Sequence, residues 1–214
     1  MDALVMCGGE GTRLADSLGR DAPEKPMYPI DGRPMVDRVL DALEASEVDQ
    51  VHAAVSPATP ETRGHIAERV SVIETPGKGY VTDLSTALDN IDRPVLTVAA
   101  DLPLLTGCVV DSMLSAYAAI GIDGGSMTVA VPATRKDRLG VSADTVMERD
   151  AMTAELIDGR ADSEEMPDRI APTGLNVVGA PTDTNTDTMY LTDDERLVVN
   201  VNRARDARIA EALL

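Results

Sequence analysis

The sequence contains no tryptophan, no phenylalanine and only four tyrosines among its 214 residues. It therefore lacks the usual aromatic platform for a large planar ligand, and contacts to such a ring would come from aliphatic, methionine or tyrosine side chains. Cys7 and Cys108 are too few for a disulfide framework and have no His or Cys neighbours at metal-binding spacing, so we expect two reduced, buried thiols. The two histidines, His52 and His65, are too sparse for a zinc site and are expected on a strand and on a helix surface.

Positive charge is scarce as well: 19 Lys and Arg residues stand against 37 Asp and Glu, for a net charge of −18. Such a surface repels nucleic acid and anionic membranes, so neither is expected as a partner. Self-repulsion of this size is tolerable where salt screens it, and in molar salt the screening length falls to about 3 Å. We therefore hypothesise a halophilic protein whose acidic residues form a solvated shell.

Long hydrophobic runs are also lacking. No segment stays apolar for the roughly 18 residues that a membrane-spanning helix requires, so no membrane span is expected. No basic region or apolar signal stretch precedes the first apolar run at Leu4–Met6. We therefore expect a cytoplasmic protein whose length suits one α/β domain.

Short apolar runs alternate with helical patterns along the chain. Strands are predicted near residues 2–7, 49–56, 70–74, 94–99, 126–132, 173–178 and 197–201, and helices from Pro34 onward and over 60–69, 79–91, 109–120 and 204–214. This alternation predicts an α/β fold with a doubly wound, mostly parallel, Rossmann-like sheet, in which ligands bind beyond the carboxyl ends of the strands. We expect a single domain over 1–214. The polar, acidic residues 133–172 are expected to leave the sheet as a small β-rich or helical flap. This flap would be a solvated surface insertion or, alternatively, a lid or an oligomer contact.

The first apolar run leads into a glycine-rich loop. Gly8, Gly9 and Gly11 let the backbone turn sharply and bring its N–H groups up to phosphate oxygens. Arg13 supplies a bidentate cation and Lys25 a point charge for the same anion. The alternative is an ordinary glycine turn with two solvated cations. The loop is neither a Walker A motif, which needs Gly-Lys-Ser/Thr, nor a dinucleotide fingerprint, which needs a third glycine.

A single carboxylate follows another apolar run. Asp101 ends the stretch Val95–Ala100 and precedes Leu-Pro, so it should lie at the ligand edge of the sheet, where carboxylate oxygens can hold Mg²⁺. The alternative is that Asp101 caps a turn.

A second glycine loop, 75–79, precedes a predicted helix. Thr75, Gly77 and Gly79 are candidates for contact with the base and ribose of a nucleotide, and Lys78 for contact with phosphate. The alternative is an ordinary strand-to-helix turn, with Asp83 in the first turn of the helix.

Asparagines stand within or beside β-branched runs at Asn176, Asn200 and Asn202. An amide in such a strand is costly unless it meets a partner, so a ligand, a metal-bound water or a satisfied structural amide is expected there.

These motifs occur together in one family. Gly-Gly-x-Gly-Thr-Arg-Leu, Lys25-Pro26, Thr75-Pro-Gly-Lys-Gly-Tyr, Val98-Ala-Ala-Asp101, Gly174-Leu-Asn176 and Asn200-Val-Asn202 resemble the archaeal adenosylcobinamide-phosphate guanylyltransferases over essentially the whole chain. These enzymes belong to the nucleotidyltransferase superfamily and are similar to molybdenum-cofactor guanylyltransferase.

The resemblance implies transfer of GMP from GTP to adenosylcobinamide phosphate, with Mg²⁺ as cofactor and GTP and a corrinoid phosphate as partners. It implies that the triphosphate is held by Gly8, Gly9, Gly11, Thr12, Arg13 and Lys25, that Gly174 and Asn176 lie close to the nucleotide, and that Asp101 and Asn202 face the metal. Where the family often has Thr and acidic residues after the Asn-x-Asn strand, this chain has Arg203-Ala-Arg205-Asp206, which leaves the metal role of Asn202 open.

Other readings stay open. The acceptor could be the molybdenum cofactor or a sugar 1-phosphate, or the protein could be a regulator that binds nucleotide without catalysis. The sequence also leaves open whether the protein is a monomer or a homodimer.

Overall fold

The structure is a computed structural model that describes residues 1–19, 22–121, 125–149, 155–160, 166–180 and 187–214. Its strands are β1 (Ala3–Met6), β2 (Pro29–Ile30), β3 (Arg33–Pro34), β4 (Val51–Val55), β5 (Ser71–Glu74), β6 (Val95–Ala99), β7 (Met127–Pro132), β8 (Met147–Glu148), β9 (Glu155–Asp158), β10 (Arg169–Val178) and β11 (Thr188–Leu191). Its helices are α1 (Thr12–Leu18), α2 (Met35–Glu44), α3 (Pro60–Ile66), α4 (Tyr80–Leu88), α5 (Gly107–Ile120), α6 (Ala133–Leu139) and α7 (Ala204–Ala212), with 3₁₀ helices at Lys25–Met27 and Glu195–Leu197.

One large sheet dominates the described residues, in the order β5-β4-β1-β6-β10-β7-β11-β9, with β8 paired to β10 and with β2 and β3 forming a separate hairpin. β1 lies between β4 and β6 and is parallel to both, while β10 runs antiparallel to its neighbours β6 and β7. This confirms the predicted α/β fold with a mostly parallel sheet. Because β1, β4, β5 and β6 are parallel, the loops that follow them all emerge at one edge of the sheet.

The helices cover the sheet with the apolar faces that their sequences predict. Helix α2 buries Met35, Val36, Val39, Leu40 and Leu43, the residues that recur at helical spacing. Its neighbour α5 packs so closely at Gly107 that a side chain there would collide with the backbone of Ala45. No helix among the described residues has the length and hydropathy needed to cross a membrane.

The prediction of a strand over 197–201 is wrong. The chain forms a 3₁₀ helix at Glu195–Leu197, and the following residues 198–202 pair with no strand among the described residues. Val198, Val199 and Val201 are fully buried, so the apolar run that suggested a strand is a buried connection whose polar backbone atoms find partners outside a ladder.

The expectation that residues 133–172 leave the sheet also fails in part. Glu155–Asp158 pairs with β11 as an edge strand, and the long strand β10 begins at Arg169. Two of the four residues of this edge strand are carboxylates and its two apolar residues are only half-buried, so its sequence shows no strong strand pattern. Within this stretch, residues 150–154 and 161–165 lie outside the described part of the chain.

One of the two thiols differs from expectation: Cys7 is buried, but Cys108 is exposed at the start of α5. The histidines lie where they were expected, His52 in β4 and His65 in α3.

Candidate active site

A cavity of about 330 Å³ opens between the two glycine-rich loops at the edge of the sheet where the parallel strands end. It is lined by residues of both loops, of the strand ends and of the segment around Lys25: Met6–Glu10, Lys25, Pro26, Gly77, Gly79, Tyr80, Asp83 and Ala99–Asp101. Five of the residues selected from the sequence therefore meet here around Lys25, namely Gly8, Gly9, Gly77, Gly79 and Asp101. A pocket of this size and shape suits a nucleotide.

Lys25 occupies one end of the cavity. Its ammonium donates to Oδ2 of Asp101 at 2.6 Å and to Oδ1 of Asn202 at 2.7 Å. The side chains of Lys25 and Asp101 are 18% and 15% exposed, so this ion pair is shielded from bulk water but open to the cavity. Three residues far apart in the sequence thus form one charged cluster.

Gly11 allows this placement of Lys25. It has a φ of +63°, and a Cβ on it would lie 2.7 Å from Cβ of Lys25. A side chain at this position is therefore excluded by conformation and by contact. The structure gives Gly11 a role in packing the lysine in addition to the proposed role in phosphate binding.

Glu24 anchors the segment that carries Lys25. Its carboxylate accepts hydrogen bonds from the backbone N–H groups of Glu61 and Thr62, at 2.8 and 2.7 Å, and from the Thr62 hydroxyl at 2.6 Å. A carboxylate at the first turn of α3 also interacts favourably with the helix dipole. Glu24 is not among the residues predicted for the site, although its position directly before Lys25-Pro26 is a signal in the sequence.

Asp101 follows β6 and is held at both oxygens. Oδ1 accepts from Nδ2 of Asn200 at 3.1 Å, while Oδ2 accepts from Lys25. The carbonyl of Asp101 accepts from the backbone N–H of Val201 at 3.0 Å, which fixes the segment 198–202 against the end of β6.

Asp206 holds the turn that carries Asn202. This fully buried carboxylate accepts from the backbone N–H groups of Asn202, Arg203 and Ser142, at 3.1, 2.9 and 2.8 Å, and from the Ser142 hydroxyl at 2.6 Å. Sequence reasoning missed Asp206, because its partners come from two segments whose proximity the sequence does not reveal.

The second glycine loop is organised from within. Oδ1 of Asp83 accepts from the backbone N–H groups of Gly77 and Lys78, at 2.9 and 3.2 Å. The hydroxyl of Thr75 donates to the carbonyl of Val55 at 2.9 Å, so this buried group has a partner inside the protein. Thr75 lies outside the lining of the cavity, whereas Tyr80 lines it.

Arg13 lies outside the cavity lining and is 62% exposed, and its neighbour Thr12 is also exposed. The guanidinium of Arg13 reaches Asp144 at 3.2 Å, and Arg203 reaches the same carboxylate at 2.7 Å. Burial alone would raise the pKa of Asp144, but the hydrogen bond from Arg203 and the charges of Arg13 and Lys25 hold that pKa below its usual value. Arg13, which the sequence predicts to bind phosphate, is therefore paired with Asp144 of the protein itself.

Gly174 and Asn176 lie on β10, beside the cluster. Gly174 has a φ of +86°, and the pairing of β10 with β7 shifts register between Pro172 and Asn176, as at a β-bulge. The amide of Asn176 lies 3.5 Å from the hydroxyl of Thr97. Neither residue lines the cavity, so a direct contact with nucleotide stays a prediction.

The residues around Asp101 fit a magnesium ion. The carboxylate of Asp101 and the amide oxygen of Asn202 are hard oxygen donors, and both point at one ammonium, so a cation is already favoured between them. Within the described ranges, no group of three or more His, Cys, Asp or Glu side chains could hold a metal by itself. Mg²⁺ usually binds through one or two carboxylates together with substrate phosphates, and this donor set matches that pattern.

A wider cleft of about 520 Å³ lies away from this site, beside α2 and the C-terminal residues. Its arginines are already engaged: Arg33 pairs with Asp41, Arg196 with Asp194, and Arg38 donates to the carbonyl of Ile30. It offers no charged cluster comparable to that around Lys25.

The mostly parallel sheet, the glycine loop after its first strand and the Lys25–Asp101 pair beside that loop fit the class of nucleotidyltransferases. The chain matches the MobA-like NTP transferase domain over residues 3–182 and belongs to that family.

Several known proteins are similar to this chain. It is 27% identical to the adenosylcobinamide-phosphate guanylyltransferase of Methanocaldococcus jannaschii, over 100% of this chain and 97% of the relative. It is 32% identical to the bifunctional protein GlmU of Paramagnetospirillum magneticum, over 52% of this chain and 24% of that protein.

Solved structures share the fold. A Bacillus anthracis protein described as a glucose-1-phosphate thymidylyltransferase superposes with a TM-score of 0.67 at 12% identity, over 100% of this chain and 95% of the other. A CMP:2-keto-3-deoxy-manno-octonic acid synthetase in complex with CTP gives a TM-score of 0.56 at 14% identity, over 83% and 73%.

Proposed function

We propose that this protein transfers GMP from GTP to adenosylcobinamide phosphate, which yields adenosylcobinamide-GDP and pyrophosphate. The observation that carries the proposal is the similarity to the Methanocaldococcus jannaschii guanylyltransferase along both whole chains, combined with the Lys25–Asp101 pair at the cavity. A matching fold alone would leave the acceptor open, since the superfamily acts on many of them.

The chemistry needs no protein nucleophile. An oxygen of the acceptor phosphate attacks the α-phosphorus of GTP, a new P–O bond forms, and the bond to the β-phosphate oxygen breaks, so pyrophosphate leaves with the electron pair. The protein must position the two phosphates and stabilise charge on the α-phosphate and the leaving group. A bound divalent cation would supply charge neutralisation at the triphosphate.

We assign the roles as follows. The backbone of Gly8 and Gly9 contacts the triphosphate, Lys25 donates to phosphate oxygens, and Asp101 with Asn202 holds the cation. Arg13 adds charge from outside the cavity once it leaves Asp144. Gly77, Gly79 and Tyr80 contact the nucleoside, since the second glycine loop and the start of α4 also line the cavity.

The acceptor would dock beside Tyr80 and Val81, which are 53% and 80% exposed at the start of α4. This is an apolar surface at the cavity edge, in a chain with no Trp or Phe to serve instead. A corrin ring has a large apolar face that such a surface can contact.

The test is pyrophosphate release from GTP with each acceptor in turn: adenosylcobinamide phosphate, molybdenum cofactor and a panel of sugar 1-phosphates. The control is Asp101→Asn, which keeps the side-chain shape but removes the charge. Release with adenosylcobinamide phosphate that is lost in Asp101→Asn supports the proposal. Release with only another acceptor would change the assignment, and saturable GTP binding without any release would favour a non-catalytic regulator.

A further inference from the structure

A buried lysine, Lys136, lies next to the charged cluster of Lys25, Asp101 and Asn202 and is connected to it through Asn200. Lys136 on α6 is only 3% exposed, and its ammonium donates to the carbonyl of Val198 at 2.6 Å and to Oδ1 of Asn200 at 3.0 Å. No carboxylate forms a salt bridge with it in the part of the chain that the structure describes. Lys136 is therefore a buried cation held by neutral acceptors.

Such a cation is costly. Taking an ammonium out of water without a paired carboxylate is unfavourable, and an apolar residue of similar length, such as methionine, would fill the same space without that cost. Burial accordingly lowers the pKa of Lys136, and the charges of Asp101, Asp206 and Asp144 oppose that shift. Packing alone does not require a lysine at this position, so we look for the role of Lys136 in its hydrogen bonds to Val198 and Asn200.

The bond from Lys136 decides how the Asn200 amide is turned. An ammonium can only donate, so the amide atom that faces it has to be the oxygen. The amide nitrogen then faces two acceptors, Oδ1 of Asp101 at 3.1 Å and the carbonyl of Thr173 at 2.7 Å. With the amide flipped, its oxygen would face the carboxylate of Asp101 and the carbonyl of Thr173, and three hydrogen bonds would be lost.

The backbone of β10 is shaped for the same amide. The register shift of β10 includes Thr173, whose carbonyl accepts from Nδ2 of Asn200 at 2.7 Å. A Cβ on Gly174 would lie 3.4 Å from Nδ2 of Asn200 and 2.9 Å from Cβ of Ala99. Two independent features, a buried lysine and a glycine bulge, therefore converge on one orientation of one side chain. That orientation occupies Oδ1 of Asp101 and leaves Oδ2 directed at the cluster of Lys25 and Asn202.

We propose that Lys136 is a positioning residue for nucleotidyl transfer: through Asn200 it fixes the Asp101 carboxylate so that Oδ2 faces the divalent cation of the nucleoside triphosphate. This rests on the proposed function in one respect, that Asp101 meets the metal–nucleotide complex. Lys136 touches neither nucleotide nor metal. It acts on them only through the Asn200 amide.

The experiment measures binding of a non-hydrolysable GTP analogue by calorimetry, with Mg²⁺ and with a chelator, in Lys136→Met and in the matched control Arg138→Met. Arg138 is exposed on the same helix, so its replacement removes an equal charge without touching Asn200. We expect Lys136→Met to weaken the Mg²⁺-dependent part of binding by about 10- to 100-fold, as loss of a group that orients a metal ligand does elsewhere. Chelator-insensitive binding should stay unchanged in both variants.

Two further variants separate positioning from general support of the fold. Lys136→Gln keeps an N–H donor for Oδ1 of Asn200, so it should retain most of the Mg²⁺-dependent binding that Lys136→Met loses. Asn200→Ala should reproduce the loss, and adding Lys136→Met to it should cause no further loss, because the two residues act in series.

The inference is overturned if Lys136→Met binds the Mg²⁺ complex as tightly as the wild type. Where Lys136→Met does not fold, it is overturned if Asn200→Ala binds that complex as tightly as the wild type. It is also overturned if the losses of Lys136→Met and Asn200→Ala simply add. If the wild type itself shows no Mg²⁺-dependent binding, the proposed function fails. If the wild type shows that binding and the variants match it, only the role of Lys136 fails, so the two failures are distinguishable.

Discussion

Lys25 and Asp101 are 76 positions apart in the sequence, and their side chains meet with Nζ 2.6 Å from Oδ2. The same ammonium reaches Asn202, so it lies between the two oxygen donors that we propose for the divalent cation. An ammonium and a metal ion cannot share this position. Lys25 is therefore expected to turn from Asp101 toward phosphate when the metal–nucleotide complex binds, and the carboxylate is kept neutralised in both situations.

Replacing Lys25 with methionine tests this exchange. Turnover should fall by about 100-fold or more, because one donor to the developing charge is lost. Stability should fall as well, since Asp101 would lose its counter-charge. Adding Asp101→Asn should restore stability, because no unpaired carboxylate then remains. It should not restore turnover, because the ammonium of Lys25 and the carboxylate of Asp101 are both missing. Single-turnover kinetics and urea unfolding measure the two effects, and normal turnover in Lys25→Met would refute the assigned role.

Gly11→Ala should damage the site through Lys25. The substitution forces a Cβ into a left-handed conformation and within 2.7 Å of Cβ of Lys25, so we expect a stability loss of about 1 to 3 kcal/mol. Turnover should drop on the order of 100-fold, because the lysine is displaced. Gly9→Ala is the control for stability, since nothing lies within 4 Å of a Cβ there. Equal melting temperatures for the two variants would contradict the prediction.

Asp206→Ala should be among the most destabilising substitutions near the site. It removes the acceptor for three backbone N–H groups and a hydroxyl at a fully buried position, each of which costs about 1 to 3 kcal/mol when left unpaired. Asp206→Asn keeps one acceptor oxygen and should lose less. Urea denaturation gives both values, and a loss within experimental error for Asp206→Ala would show that the turn is held by other contacts.

The two thiols should react very differently with an alkylating reagent. Burial raises the pKa of Cys7 to about 12, so its thiol stays protonated and shielded at neutral pH. Hydrogen bonds with Thr106 and Arg196 lower the pKa of the exposed Cys108, so its thiolate forms at lower pH than that of a free cysteine. The alkylation rate should therefore rise at lower pH than for glutathione, and Arg196→Met should move this rise to higher pH. Mass spectrometry of the labelled peptide checks the assignment, and labelling of Cys7 first would contradict it.

Salt should stabilise this protein strongly. A net charge of −18 makes the folded state repel itself, and molar KCl reduces the screening length to about 3 Å. We expect the melting temperature to rise steeply between low and molar KCl. Sucrose at matched osmolality is the control, because it adds no screening. An equal melting temperature in low and molar KCl would remove the halophile hypothesis.

The sequence predicted those elements whose signals are local. Strands β1, β4, β5, β6 and β7 and helices α2, α3, α4, α5 and α7 all form close to their predicted ranges, because buried strands and amphipathic helices have a period that can be read directly. Helix α1 was missed, since its seven residues bury only Leu14. The edge strand β9 was missed because half-buried apolar residues do not stand out from a polar stretch. The predicted strand at 197–201 is wrong for the opposite reason. Its apolar residues are fully buried, so they resemble a core strand in the sequence, but the segment pairs with no strand among the described residues.

The sequence by itself determined the class of fold, the glycine-rich loop and the choice of Lys25 and Asp101, because each depends on residue types at short spacing. The tertiary structure alone decided that Lys25 bridges Asp101 and Asn202, that Arg13 is paired with Asp144, and that a buried Lys136 turns the amide of Asn200. These contacts join segments up to 177 positions apart. Such contacts depend on how the elements pack against one another, and no periodicity or motif along the chain records that packing.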